Sequence, residues 1–144
     1  MLKSFRELEV WQKAHALVLE IYRVSDDFPD KERYGITAQL RRAAVSVPAN
    51  IAEGFARRST PEFMQSLTIS NGSLEEARYL LILARDLSYL RQTEYDKLDN
   101  NLDSIAQMLA ALSRSLKNRM RNGQPSRVAG RGSRAALSVP RGTQ

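Results

Sequence analysis

The chain has 144 residues, 42% hydrophobic and 26% charged, a length and balance that suit one globular domain with a sizeable core and exclude wholesale disorder. It has no cysteine, which rules out disulfides and thiolate chemistry, and its longest apolar run, Tyr79 to Ala84, falls far short of the roughly 20 residues that cross a bilayer. The net charge of +6 is unevenly spread: Arg121 to Gln144 hold five arginines and no acid, leaving the rest of the chain near +1.

The start, MLKSFRELEVWQ, scatters charges where a secretory signal would carry an apolar core, so a cytoplasmic location is expected. A first amphipathic helix runs from about Leu8 to Val24, with Trp11, Ala14, Leu17, Ile21 and Val24 three and four residues apart. Pro29 ends it, because proline lacks an amide hydrogen and disfavours helical geometry in the residue before it. After a loop to Gly35, Ile36, Leu40, Ala43, Val47, Ile51 and Phe55 form the stripe of a second helix, about Thr37 to Ala56, with Thr37 as N-cap. Pro48 lies inside this helix and is expected to bend or split it, since it removes the bond to the carbonyl of Ala44. Ser46 and Asn50 flank it, placed to satisfy backbone groups that the proline frees.

Ser59-Thr60-Pro61-Glu62 opens a third helix, where either hydroxyl can cap and Pro61 suits the first turn. Its pattern continues to about Leu90, and Gly72 inside it hints at a close approach, because glycine costs a helix about 1 kcal/mol relative to alanine. The fourth helix starts near Thr93 and sets Tyr95, Leu98, Leu102, Ile105, Leu109, Leu112 and Leu116 at alternating spacings of three and four, a heptad seam. An all-α fold follows: an antiparallel up-down-up-down four-helix bundle over residues 1–119. Residues 120–144, rich in Gly, Arg, Ser and Pro without periodicity, read as a disordered basic tail.

Catalytic chemistry finds little support. His15 is the sole histidine, no zinc spacing is present, and neither GITAQLRR nor GFARRS has the spacing of a phosphate-binding loop. Neighbouring carboxylates such as Glu75 and Glu76 point about 100° apart on a helix and do not form an acid–base pair. No catalytic residue, metal site or cofactor is expected, and the protein reads as a non-enzyme.

Two other features suggest binding. Arg41, Arg42, Arg57 and Arg58, with Arg33 nearby in sequence, form the best basic cluster outside the tail and suit phosphate contact; core-edge packing, pairing with Glu53 or Glu62, and the helix dipole explain them equally well. Tyr79, Leu80, Ile82 and Leu83, with Leu81 and Ala84, surround the whole third helix, although one core buries one stripe, so Tyr79, Leu80, Ile82 and Leu83 are expected at a homo-oligomer interface.

FRELEVWQKA, then FPDKERYGITAQLRRAAVSVPANIAEG, then GSLEEARYLLILARDLSYL resemble the four-helix-bundle family of 23S rRNA intervening-sequence proteins, over about Phe5 to Arg119. That family is named for reading frames inserted in bacterial ribosomal RNA genes, and it is similar to the accessory protein of diversity-generating retroelements, a ring-shaped pentamer that binds nucleic acid and a reverse transcriptase. The resemblance implies a bacterial homopentamer that binds structured RNA or DNA as an accessory factor. The alternative is a module that recruits another protein, such as a reverse transcriptase, without touching nucleic acid.

Overall fold

The stripes fold into α1 (Glu9–Ser25), α2 (Ile36–Phe55), α3 (Thr60–Asp86) and α4 (Gln92–Arg121) in a computed structural model that describes residues 2–123. Each helix packs against the next and α4 closes on α1, while among the described residues the backbones of the diagonal pairs stay apart, so the chain is an antiparallel up-down-up-down four-helix bundle. Of the tail expected over residues 120–144, residues 124–144 lie outside the described residues. Core side chains from all four helices, among them Leu17, Ile21, Leu40, Leu67, Leu102 and Leu116, are almost fully shielded, and each such burial contributes about 1.5–3 kcal/mol.

Local capping explains where the boundaries depart from expectation. A 3-10 turn at Phe5–Glu7, capped by Ser4, precedes α1. At α2 the Glu32 carboxylate accepts from the amide of Ile36 at 3.2 Å and Gly35 takes the cap position, so the helix starts one residue early and Thr37 is buried in its first turn instead of capping it. Despite Pro48, α2 is continuous; Asn50 Nδ2 donates to the Ser46 carbonyl at 2.8 Å and Ser70 Oγ of α3 donates to the Val47 carbonyl at 2.8 Å. Ser59 caps α3 by accepting from the amide of Glu62.

That helix ends at Asp86, four residues before Leu90. Ser88 adopts a left-handed φ of 66°, and the amides of Ser88 and Tyr89 bond back to the carbonyls of Arg85 and Ala84. This is a Schellman stop, made with serine where glycine is usual. The last helix begins at Gln92, one residue before Thr93, with Arg91 in the cap position, and extends to Arg121, two residues past the expected limit of the bundle.

α2 and α3 form the tightest pairing, because Gly54 lets them approach: a Cβ there would lie 2.7 Å from Ser66 Cβ and 2.8 Å from Phe63 Cδ1. α3 and α4 are clasped by Arg78, whose Nη1 and Nη2 reach Asp99 at 2.6 Å and Asp103 at 3.1 Å while Nε meets Glu75 at 3.2 Å. Burial alone would lower the pKa of Arg78; Glu75, Asp99 and Asp103 together outweigh it and hold the guanidinium above its ordinary value.

Candidate nucleic-acid interface

The four candidate arginines do not form one patch. Arg41 lies on α2 and Arg57 two residues past its end; the stretch of α2 from Arg41 to Phe55 alone spans roughly 21 Å at the 1.5 Å rise of an α-helix. Arg33 lies in the α1–α2 connection beside Tyr34, at the end of the bundle remote from Arg57.

Arg41 is built into the fold. Its Nε donates to Ser25 Oγ at 2.8 Å, one Nη donates to the Tyr22 carbonyl at 3.2 Å and to Asp26 at 3.0 Å, and the guanidinium sits 4.4 Å over the Tyr22 ring. It therefore fastens α2 to the last turn of α1, where the carbonyl end of a helix favours a cation. Its partner is Asp26, not Glu53 or Glu62. Arg57 is paired with Glu53 one turn back on α2, and both line an open groove of about 240 Å³ between α2 and α3. Glu62 shares that groove, so an anion entering it would meet two carboxylates. Arg42 and Arg58 are exposed, and among the described residues neither meets a carboxylate.

The expected oligomer face divides too. Leu80 is 3% exposed and belongs to the bundle core, which corrects its assignment to an interface: α3 packs against both α2 and α4, so its buried arc is wider than one stripe. Ile82 and Leu83 are half-buried at the core edge, and Tyr79 is exposed. Other exposed apolar side chains include Leu19 and Tyr22 on α1, Val45 on α2, Ile69 on α3 and Met120 on α4. Gly72 lies on the exposed side of α3, and a Cβ there would meet nothing within 4 Å, so no close approach inside the chain explains it. His15 is exposed and stacked on Trp11, with ring centroids 5.1 Å apart.

One residue of interest was missed. Arg119 stands three positions after Leu116, on the next step of the heptad seam of α4, and is only 9% exposed. Its Nε is shielded from solvent and has no hydrogen-bond acceptor. Continuing the three-four spacing one step past Leu116 would have found it.

Among the described residues no group of three or more His, Cys, Asp or Glu side chains could hold a metal ion, and no helix is long and apolar enough to cross a membrane.

The arrangement offers cationic side chains and exposed apolar side chains on a helical bundle. A solved structure from Bacteroides thetaiotaomicron, described as a protein of unknown function from the S23 ribosomal protein family, is similar: 22% identity, TM-score 0.66, covering 73% of this chain and 98% of that one. At that identity the likeness concerns the fold. No curated protein matches the chain. The model of the 23S rRNA-intervening sequence proteins matches residues 6–111, most of the bundle, and the chain belongs to that family.

Proposed function

We propose that the protein is a non-catalytic, cytoplasmic accessory factor that self-associates and binds structured RNA through arginines. The observation that carries this reading is that Arg42 and Arg58 are exposed and, among the described residues, are not neutralised by any carboxylate. The family's name, which refers to sequences intervening in 23S rRNA, supplies a setting in which structured RNA is at hand. Recognition would run through backbone and shape, because α2 and α3 bring few exposed aromatic rings to stack on bases.

Self-association would repeat those arginines around a symmetric assembly, so that individually weak phosphate contacts reinforce one another. Tyr79, with Ile82 and Leu83 at its edge and Val45 and Ile69 also exposed, supports a homo-oligomer, and the resemblance to the retroelement accessory protein favours five subunits. The second reading, a module that recruits another protein such as a reverse transcriptase, draws support from the exposed Leu19 and Tyr22 on α1.

The test uses the full-length chain with Arg127, Arg131, Arg134 and Arg141 replaced by glutamine, because a basic tail attracts any polyanion. Its affinity for a labelled RNA hairpin is measured across a salt series, beside light scattering at the same concentration. A salt-dependent affinity that Arg42→Ala/Arg58→Ala weakens supports the reading. Absence of binding at low salt refutes it in favour of the protein-recruiting module, and a monomer at every concentration refutes the assembly.

A further inference from the structure

The described part of the chain is close to neutral, but its charge is segregated by end. Residues 3–9, 53–62 and 114–121 hold eight lysines and arginines against four carboxylates. Residues 23–36 and 85–97 hold six against seven. The first set shares one end of the bundle: the chain start leads into α1, α2 ends and α3 begins there, and α4 arrives antiparallel to α3. Arg78 meets Asp99 and Asp103, and Arg85 lies 4.4 Å over the Tyr95 ring; carrying that register along α4 brings Arg119 level with Arg58 to Glu62.

Arg119 is the distinctive member of this end. It occupies a seam position, where a bundle gains most from an apolar side chain, and it is the one charged residue among the buried residues described. Its Nε is shielded from solvent and meets no acceptor among the described residues. A shielded N–H without an acceptor is unfavourable, and a nearby anion is worth more to such a cation than to a hydrated surface arginine. Core packing also holds the side chain in place, so less rotamer freedom is lost when an anion binds.

We propose that this end of the bundle is a phosphate-binding surface for a nucleic-acid backbone, with Arg119 as its anchor and Arg58 as its exposed second contact. The inference rests on the nucleic-acid reading above and relocates the contact from the length of α2 to one end of the bundle. The favoured ligand is a phosphodiester because arginine's planar fork fits two phosphate oxygens, and the excess of cations suits a polyanion better than a lone carboxylate.

The experiment uses the same full-length, tail-neutralised parent and the same labelled RNA hairpin. Arg119→Met fills the seam with a side chain of similar length and should fold at least as well as the parent. It should bind RNA more weakly, with a salt slope reduced by about 1, and Arg58→Gln/Arg119→Met by about 2. Arg33→Gln, at the other end, should leave the slope unchanged. Should Arg119→Met fail to fold, the Nε–H resonance of Arg119 in the parent gives a second readout: RNA should shift it more than the Nε–H of Arg33. RNA binding that is indifferent to Arg119→Met, or a resonance that RNA does not move, overturns this site and leaves the proposed function standing. A parent that binds no RNA at low salt overturns both.

Discussion

Two glycines inside helices test how tightly α2 and α3 pack, because alanine removes the same backbone penalty at each and meets opposite surroundings. Gly72→Ala adds a methyl where nothing lies within 4 Å, so it should gain up to about 1 kcal/mol from helix propensity alone. At Gly54 the new Cβ would lie 2.7 Å from Ser66 Cβ and 2.8 Å from Phe63 Cδ1, far inside ordinary contact. Ser66 Cβ is fixed to the backbone of α3 and Phe63 is fully buried, so α2 and α3 must part by several tenths of an ångström. Overpacking of that kind costs about 1–3 kcal/mol, which equals or exceeds the propensity gain. The two variants should therefore differ by about 1–3 kcal/mol, with Gly72→Ala the more stable. Urea unfolding followed by circular dichroism measures the difference, at one protein concentration so that association does not enter it. Equal effects from both substitutions would refute the close α2–α3 approach. A Gly72→Ala variant that dissociates or loses stability would show that a second molecule, not solvent, covers that face.

Arg41→Ala removes the bonds to Ser25 and the Tyr22 carbonyl together with the stacking on Tyr22, and should lower stability by about 1–3 kcal/mol in the same urea assay. The Asp26 pair adds little because that carboxylate is 77% exposed, and Arg41→Lys should recover only part of the loss, since an ammonium cannot reproduce the fork. At high pH the tyrosines decide: a hydrogen bond to Glu32 raises the pKa of Tyr89, and desolvation followed by the charge of Asp99 raises that of Tyr95. Folded-state values above the unfolded tyrosine value of about 10 mean that this stability is intact below that pH and is lost as pH rises through the folded values. Tyr89→Phe should flatten the fall in melting temperature above about pH 10, and an unchanged profile would disprove the Glu32 contact's role.

The fold was legible because its signals are local and repeated. The stripe from Ile36 to Phe55 and the seam from Tyr95 to Leu116 came through as buried faces, since a bundle core is selected by periodicity of three and four. Helix ends were harder to read where a side chain from outside the helix supplied the cap. Glu32 moved the start of α2 before Thr37, and Ser88 stopped α3 in a left-handed conformation that serine rarely signals. Pro48 did not split α2, because tertiary packing buries it and continuity outweighs one missing bond.

The candidate site was less legible because a sequence window and a bundle level are different neighbourhoods. Arg41 and Arg42 look adjacent to Arg57 and Arg58 in a linear scan, but the rest of α2 stands between the pairs and separates them by roughly 20 Å. Arg58 and Arg119 lie far apart in sequence and arrive level with each other because α3 and α4 run in opposite directions. Leu80 shows the same limit for apolar residues: a full ring of hydrophobics suggests an outer partner, but contact with two neighbouring helices hides most of that ring and leaves Tyr79 outside. Charge and hydrophobicity along the chain report what a helix can bind, and the antiparallel register decides which of those residues meet.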